Sequence, residues 1–391
     1  MLITPLLKLA VEKLASDIFI SAGAPINIKI NGVTMPVNAQ RMDVATVERI
    51  AYELMTPGQA KILEETLELN FPYREASIGG NYRVNILRQR NSLAIVLRHI
   101  RNNIASIEDL RLPGILKQLI MEKRGLILVV GATGSGKSSS LAAMLQYRNN
   151  TSTGHILTIE DPVEYLFTHN QSIVNQREIG TDTLSYGNAL VSAMREAPDV
   201  LMIGEIRSRD TLQQALIFAQ AGHLCLSTLH ANNSYHALNR IVNFFPHDAR
   251  KAVLADLSLC LRAIISQRLV RNIQGKQIPA VEILLNTTLI SDLIKNDEIE
   301  KIREAIEKSV SPGSQTFEQA LYRLYKNGEI TKDEAMLHSD SPSNFSSLVD
   351  YSQTSKMNAY DPNASAAVPQ PLQTAADFGN ITLNLDVADP K

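Results

Sequence analysis

The chain has 391 residues, of which 45% are apolar and 20% are charged, and its formal net charge at neutral pH is −2. This length predicts two or three domains, each large enough to bury a core. The small net charge gives no reason to expect nucleic acid as a partner. Because Cys225 and Cys260 are the only cysteines, a four-cysteine zinc site is excluded, and both are interpreted as buried thiols.

The sequence predicts neither secretion nor membrane insertion. Lys8 interrupts the apolar start of the chain too soon for a secretory signal. No uninterrupted apolar stretch approaches the roughly 20 residues that a membrane-spanning helix needs. We therefore expect a cytoplasmic protein without an integral membrane segment.

Residues 1–101 have the pattern of a small α+β domain. Apolar residues at helical spacing and glycine-containing turn signals delimit its elements. In chain order we predict a helix over 2–15, a strand over 16–20, a hairpin turning at Asn31-Gly32, helices over 43–55 and 57–69, and a hairpin over 82–98 that Gly79-Gly80 opens. The second hairpin is rich in arginine, at Arg83, Arg88, Arg90, Arg98 and Arg101. Most of these arginines are interpreted as a solvated face, and the residues alone leave open whether one or two reach a neighbouring subunit's nucleotide.

A short linker over 102–106 precedes a second region, 107–338, in which helices alternate with apolar strands. This alternation is typical of a parallel α/β domain. Residues 339–391 are rich in Ser, Asn, Ala and Pro, and few of them are apolar. We expect this C-terminal tail to pack no core of its own and to be disordered.

The strongest motif follows the apolar run 125–130 and leads into a helix. It matches the pattern G-x-x-x-x-G-K-[ST] completely, in the strand–loop–helix context that a chance match would lack. The glycines let backbone N–H groups face phosphate oxygens, Lys137 supplies a point charge, and the Ser138 hydroxyl is placed to bind Mg²⁺. The sequence therefore predicts a nucleoside-triphosphate site formed by Gly131, Ala132, Thr133, Gly134, Ser135, Gly136, Lys137, Ser138 and Ser139.

Two acidic stretches indicate what surrounds the triphosphate. The apolar strand that ends at Glu205 is typical of a Walker-B strand, which we expect beside the P-loop strand with its acid close to Mg²⁺. The segment 158–164 carries three carboxylates around a proline, Glu160, Asp161 and Glu164. Crowding of like charge costs free energy unless a cation or a proton transfer uses it. One of the three is therefore predicted to orient or deprotonate the attacking water.

A further apolar strand ends in the polar segment 227–232. Its Thr228 hydroxyl and His230 imidazole are candidates for contact with the γ-phosphate. A histidine at a strand end is as often a structural hydrogen-bonding residue, and these residues alone do not decide between the two roles.

Together, these motifs resemble those of the secretion-superfamily ATPases. The P-loop 131–138, the acidic box 158–164, the Walker-B stretch 203–207 and the His box 227–232 occur in that order. They are most similar to the type IV pilus retraction motors, the PilT/PilU group. This resemblance covers residues 1 to about 338. It implies an N-terminal PAS-like domain, a RecA-like ATPase domain, and a hexameric ring that hydrolyses ATP with Mg²⁺.

The resemblance also assigns a role to each matching position. The residues that bind phosphate or Mg²⁺ are Lys137, Ser138 and Glu205, the last as the Walker-B acid. The family's catalytic glutamate is matched by Glu164, with Glu160 and Asp161 supporting it, and the family's His-box residue is matched by His230. The arginines that the family's N-terminal domain extends to a neighbouring subunit's nucleotide are matched by Arg83 and Arg98.

Two departures distinguish the chain from other members of the superfamily. Pilus assembly ATPases usually carry a tetracysteine zinc site, which this chain lacks the cysteines to form. The principal retraction motors carry a stretch like Ala-Ile-Arg-Asn-Leu-Ile-Arg-Glu, whereas residues 289–296 here read Leu-Ile-Ser-Asp-Leu-Ile-Lys-Asn. This departure and the long tail resemble the accessory PilU type.

The resemblance therefore implies a motor that drives or assists pilus retraction at the inner face of the cytoplasmic membrane. The implied partners are identical subunits, the principal retraction ATPase and an inner-membrane pilus platform protein. Two alternatives stay open: a non-hydrolysing nucleotide-binding subunit of a mixed ring, which the intact carboxylates disfavour, and a related conjugation or type II secretion ATPase.

Overall fold

The computed structural model describes residues 3–30, 32–75, 80–100 and 103–354. Within these ranges the chain forms two sheets, one of six strands and one of seven. Each sheet has a hydrophobic core of its own.

The first sheet is formed by β1 Asp17–Ser21, β2 Pro25–Ile30, β3 Val33–Arg41, β4 Glu68–Glu75, β5 Gly80–Gln89 and β6 Ser92–Ile100. The strands lie in the order β3-β2-β1-β6-β5-β4, and every pairing is antiparallel. The accompanying helices are α1 Thr4–Glu12, α2 Val44–Leu54 and α3 Pro57–Thr66. Leu7 of α1, Ala51 of α2 and Leu63 of α3 share one core with Val84 and Ile95 of the sheet, so the helices cover a single face.

The helix starts in this region follow from local capping. The Asp43 carboxylate accepts a hydrogen bond from the backbone N–H of Thr46 at the start of α2, at 2.8 Å. Thr56 and Gln59 form a capping box at the start of α3. α3 ends three residues earlier than predicted, because Leu67 adopts a left-handed φ of 67°. The predicted turn and linker positions Asn31, Gly79 and Asn102, and the hairpin arginine Arg101, lie outside the described residues.

The second sheet is formed by β7 Gly125–Val130, β8 Gly154–Glu160, β9 Ser172–Glu178, β10 Val200–Glu205, β11 Leu224–Leu229, β12 Leu261–Arg271 and β13 Gln277–Leu285. Its order is β13-β12-β7-β11-β10-β8-β9. All neighbouring strands are parallel except the edge pair β12–β13. Every residue of β7 and β11 is buried, which is why these strands read as continuous apolar runs.

The position of the Walker-B strand differs from the prediction. We expected β10 beside the P-loop strand β7, but β11 pairs with both of them and lies between them. The prediction was wrong because the order of parallel strands depends on how the helical crossovers pack. The apolar pattern of each strand shows that it is buried, but it does not indicate which strands are its neighbours.

Helices cover both faces of the second sheet. α4 and α5 pack against one face with Ile127 and Val129, whereas α6 to α11 pack against the other with Leu126 and Leu128. The helices are α4 Ile115–Ile120, α5 Lys137–Thr151, α6 Tyr186–Ala193, α7 Arg209–Gln220, α8 Ser234–Asn243, α9 His247–Cys260, α10 Thr288–Lys295, α11 Ile302–Glu307, α12 Phe317–Lys326, α13 Lys332–His338 and α14 Pro342–Thr354, with a 3-10 turn at Ile299–Lys301. In the described ranges, no helix combines the length and the apolar character that crossing a bilayer requires.

The C-terminal segment packs further than the sequence predicts. α14 buries Phe345 and Val349 in a cluster with Phe317. The expectation that 339–391 is disordered is therefore wrong for α14, which adds to a cluster of the preceding domain, because two apolar residues in a serine-rich segment are too weak a signal to recognise. Residues 355–391 lie outside the described part of the chain. The prediction that both cysteines are buried thiols is confirmed.

Candidate nucleotide site

The loop between β7 and α5 depends on its glycines. Gly134 and Gly136 have φ values of 79° and 89°, in the left-handed region that favours glycine. A Cβ at Gly136 would lie 2.7 Å from the Gln267 amide nitrogen, and a Cβ at Gly131 would lie 2.4 Å from Ser135 Oγ. The loop therefore forms a tight cradle at the start of α5, which is the form that phosphate binding requires.

The interior of the loop holds polar groups that suit an anion. Lys137 Nζ donates hydrogen bonds to the carbonyls of Gly131 and Ala132, both at 2.9 Å. Ser135 Oγ is buried and has no hydrogen-bond partner among the described residues. Burial lowers the pKa of Lys137, although the charges of nearby carboxylates raise it. An ammonium and an unused hydroxyl inside a glycine-rich loop fit the oxygens of a phosphate group.

A cavity of about 690 Å³ opens beside this loop, at the carboxyl ends of the parallel strands, where α/β proteins bind ligands. Most of the predicted site residues line it. They are Thr133, Gly134, Gly136, Lys137, Ser138, Ser139, Glu160, Asp161, Glu164, Glu205 and His230. The structure therefore brings the P-loop, the acidic box, the Walker-B acid and the His box together, while Gly131, Ala132 and Ser135 lie in the loop but not on the cavity wall.

The three acids of the acidic box differ in environment. Glu160 is buried, and its Oε1 accepts hydrogen bonds from Thr158 Oγ1 at 2.7 Å and Gln176 Nε2 at 3.2 Å. Burial raises the pKa of Glu160 to about 6, although these bonds and one from the Glu164 backbone N–H oppose the shift. The side chains of Asp161 and Glu164 are exposed at the cavity. Glu164 is therefore a carboxylate that water can reach, and Glu160 is a buried support beneath it.

Both carboxylate oxygens of Glu205 have partners. Oε1 lies 3.3 Å from His230 Nε2, and Oε2 accepts a hydrogen bond from Arg207 Nε at 2.7 Å. Thr228, the second candidate for phosphate contact, donates its hydroxyl to the Gly204 carbonyl at 2.7 Å. His230 and Arg207 thus orient the Walker-B acid, and Arg207 was not among the predicted site residues although it lies in the Walker-B stretch.

Two further site residues escape sequence reasoning. Ser139 Oγ lies 2.6 Å from the Tyr165 hydroxyl, which also lines the cavity. Ser140 Oγ donates to Gln267 Oε1 at 2.6 Å, across 127 positions of the chain. Tyr165 follows the acidic box directly and could have been found by its position. Gln267 gives no local signal, because only the pairing of β12 with β7 brings it to the loop.

The structure does not bring Arg83 and Arg98 to this cavity. The two arginines are paired across β5 and β6, and Arg98 Nε forms a 2.8 Å ion pair with Asp17. Burial raises the pKa of Asp17, but hydrogen bonds from Arg98 and Ser16 outweigh it, so the pKa lies below its usual range. The side chain of Arg98 is 72% exposed. A role for either arginine at a neighbouring subunit's nucleotide stays a prediction.

The donor set at the loop fits Mg²⁺ bound together with a nucleotide. Among the described residues, no group of three or more His, Cys, Asp or Glu side chains could hold a metal ion by itself. Mg²⁺ usually takes one or two protein oxygens and completes its shell with water and phosphate. The hydroxyl of Ser138 and the carboxylate of Glu205, both at the cavity, provide such a partial set.

The chain is similar to known proteins. The family model described as "Type II/IV secretion system protein" matches residues 1–322. The chain is 50% identical to the type IV pilus ATPase PilU of Pseudomonas aeruginosa over 337 residues, which are 86% of this chain and 88% of that protein. It is 38% identical to the type IV pilus retraction ATPase PilT of the same organism, over 88% of this chain and 99% of that protein.

The crystal structure of the pilus retraction motor PilT with bound ADP superposes with a TM-score of 0.81 at 40% identity, covering 87% of this chain and 97% of that one. This similarity confirms the predicted fold class. The chain therefore belongs to the type II/IV secretion system protein family, within its PilT/PilU group of type IV pilus ATPases.

Proposed function

We propose that this chain is an ATP-hydrolysing motor that drives or assists the retraction of type IV pili. The observation that carries the proposal is the meeting of Lys137, Ser138, Glu164 and Glu205 around one cavity. These are the parts that phosphoryl transfer to water needs: a phosphate cradle, a metal site and an acid for the water. Two relatives named as a pilus ATPase and a pilus retraction ATPase support the choice of process.

The P-loop binds the triphosphate. Lys137 already lies among the loop carbonyls, where its ammonium neutralises the β- and γ-phosphates, and the N-terminus of α5 adds its partial positive charge. The ADP bound to the PilT structure supports an adenine nucleotide as the ligand. Bound Mg²⁺ would neutralise further charge on the phosphates, and Ser138 and Glu205 are the residues that would hold it.

Glu164 orients the attacking water. The water oxygen bonds to the γ-phosphorus, the bond from that phosphorus to the β–γ bridging oxygen breaks, and Glu164 accepts the water's proton. Glu160 fixes this segment from below, because it accepts a hydrogen bond from the Glu164 backbone. His230 holds Glu205 from the end of the neighbouring strand β11.

Assembly completes the site in this proposal. Arg98 projects from the sheet of the N-terminal domain, 1–101, and does not line the cavity of its own chain. In a homohexamer, Arg83 and Arg98 reach a neighbour's nucleotide and stabilise the charge that develops during hydrolysis. Hydrolysis changes the angle between this domain and the ATPase domain, 107–338, at the linker 102–106. The ring works at the cytoplasmic face of the inner membrane, on a pilus platform protein and beside the principal retraction ATPase.

Phosphate release by the purified protein tests the proposal. Glu164→Gln should bind ADP like the wild type and hydrolyse ATP at least about 100-fold more slowly, because a positioned acid or base contributes about that much. Lys137→Ala should lose nucleotide binding itself. Glu304→Gln, at an exposed ion pair, is the matched control and should keep both properties. Equally slow turnover by the wild type and Glu164→Gln, with equal nucleotide binding, would refute hydrolysis at this site and favour a non-hydrolysing ring subunit.

The cellular role needs a second experiment. We expect deletion of the gene to reduce twitching motility and to leave protein secretion intact. Complementation with the wild type should restore motility, and complementation with Glu164→Gln should not. A secretion defect with normal twitching would favour a secretion or conjugation ATPase instead.

A further inference from the structure

The loop that carries His230 is held from the C-terminal part of the chain. It runs from the end of β11 to the start of α8, where Asn233 caps the helix by accepting a hydrogen bond from the His236 backbone at 2.9 Å. The Asn232 carbonyl accepts a hydrogen bond from Arg268 at 3.1 Å. The Asn233 side-chain amide donates to Asp340 Oδ2 at 2.7 Å.

Asp340 joins these two contacts. Its Oδ1 pairs with Arg268, and both side chains of this ion pair are about one-fifth exposed. Arg268 also donates to the His338 carbonyl at 2.5 Å and lies 3.9 Å above the ring of Phe317. The guanidinium is therefore fixed on several sides, and removal of the Asp340 charge would leave a largely buried cation without its counter-ion.

A second carboxylate fixes the far end of the same loop. Glu282 is buried and accepts hydrogen bonds from the Ser234 backbone at 2.8 Å, the Ser234 hydroxyl at 2.7 Å and the Ser266 hydroxyl at 2.9 Å. At the near end, the His230 carbonyl accepts a hydrogen bond from Arg240 at 3.0 Å. Between these anchors, the loop has two further contacts. Arg268 donates to the Asn232 carbonyl, and Asp340 accepts from the Asn233 side chain.

We propose that Asp340, acting with Arg268, is a positioning residue for His230. Asp340 touches neither Glu205 nor the cavity, but it fixes the loop from which His230 reaches Glu205 Oε1. The segment between α13 and α14 thereby sets the geometry of the nucleotide site. Asp340 lies beyond the residues that the family model matches. The inference rests on the proposed function, because the position of His230 affects catalysis only if this site hydrolyses nucleotide.

Hydrogen exchange of the full-length protein tests the structural part without any turnover. Asp340→Asn should speed amide exchange of Ser234 and His236 about tenfold, because the start of α8 opens more often once the loop is released. Arg268→Lys keeps the charge, but its single ammonium nitrogen lacks the planar fork that reaches His338, Asn232 and Asp340 at the same time, so it should act in the same direction. Glu304→Gln removes a carboxylate from an exposed pair and should leave these amides unchanged. Unchanged exchange in both test variants would overturn the proposal.

A double-mutant cycle tests the catalytic part. Asp340→Asn should lower kcat about tenfold in the wild-type background, as small displacements near a reacting centre do. It should have no further effect in the His230→Ala background if it acts through His230. Additive effects in the two backgrounds would show a merely structural role and overturn the proposal. Lack of turnover in the wild type would instead refute the proposed function, and hydrogen exchange would still decide whether Asp340 fixes the loop.

Discussion

The imidazole Nε2 of His230 lies 3.3 Å from Oε1 of Glu205. The two residues come from the ends of the neighbouring parallel strands β11 and β10. The register of these strands shifts between Ile203 and Glu205, so that Glu205 lies opposite Thr228. This irregularity places the Walker-B acid beside the His box. The contact joins two motifs that the sequence analysis treated separately.

Removal of this contact should slow the reaction. We expect His230→Ala to lower kcat for ATP about tenfold or more, because groups that orient a metal ligand contribute about that much. Affinity for ADP should change much less, since His230 does not belong to the phosphate loop. Steady-state kinetics and ADP titration measure the two quantities. His247→Ala, at an exposed histidine at the start of α9, is the control, and an equal loss in that variant would contradict the assignment.

Two glycines of the P-loop should differ in their tolerance of alanine. Gly134→Ala introduces only backbone strain, because nothing lies within 4 Å of the new Cβ, and this strain costs about 1–3 kcal/mol. Gly136→Ala adds a contact of 2.7 Å with the Gln267 amide, so this buried side chain must also shift, and the variant should bind ADP more weakly than Gly134→Ala. Thermal unfolding and ADP titration of both variants, with Gly58→Ala as an unstrained control, test this order. The prediction is wrong if Gly136→Ala binds ADP as well as Gly134→Ala.

The raised pKa of Glu160 predicts a pH-dependent stability difference. The pKa of Glu160 shifts from 4.5 to about 6 in the folded protein. Between pH 4.5 and pH 6, the carboxyl is therefore protonated in the folded state and ionised in the unfolded state. Folding stability contributed by this group is therefore highest below pH 4.5 and decreases as the pH rises through about 6. Above that pH the charged form costs about 2 kcal/mol, at 1.36 kcal/mol for each pKa unit.

Glu160→Gln should remove this cost while its amide oxygen still accepts from Thr158. We expect the free energy of unfolding of the variant, relative to that of the wild type, to increase by up to about 2 kcal/mol from acidic to neutral pH. Denaturant unfolding across this pH range measures the difference. Asp161→Asn, at an exposed neighbour, is the control and should show no such trend. A pH-independent difference between Glu160→Gln and the wild type would contradict the burial of the charge.

The packing of α14 should be measurable as stability. Phe345 is fully buried in the C-terminal cluster, so Phe345→Ala should cost about 3–5 kcal/mol of unfolding free energy in that part of the chain. Leu337→Ala, at a side chain that is 75% exposed, should change stability by less than about 0.5 kcal/mol. Chemical denaturation of each variant, with amide exchange as the readout, measures the two changes in unfolding free energy. Similar small effects in both variants would mean that α14 does not contribute to the folded core.

Local sequence signals predicted most of the residues that meet at the cavity. The glycine spacing from Gly131 to Gly136 predicts a phosphate cradle, and each acid that the structure places at the cavity follows or ends an apolar strand. Such signals are readable because turn glycines and buried strands impose their residue types on a few consecutive positions. The secondary structure of the N-terminal region was predictable from apolar residues at helical spacing and from glycine-containing turns.

Contacts between distant parts of the chain could not be predicted. Only the tertiary structure places β11 between β7 and β10, brings Gln267 against Gly136, buries Phe345, and joins Asp340 to the loop of His230. The sequence by itself determined which residues bind and hydrolyse a nucleotide in our proposal, since that information is written in short motifs. Packing decided the strand order and the contacts that hold the site residues in place. A side chain that contacts a partner far along the chain leaves no pattern among its sequence neighbours.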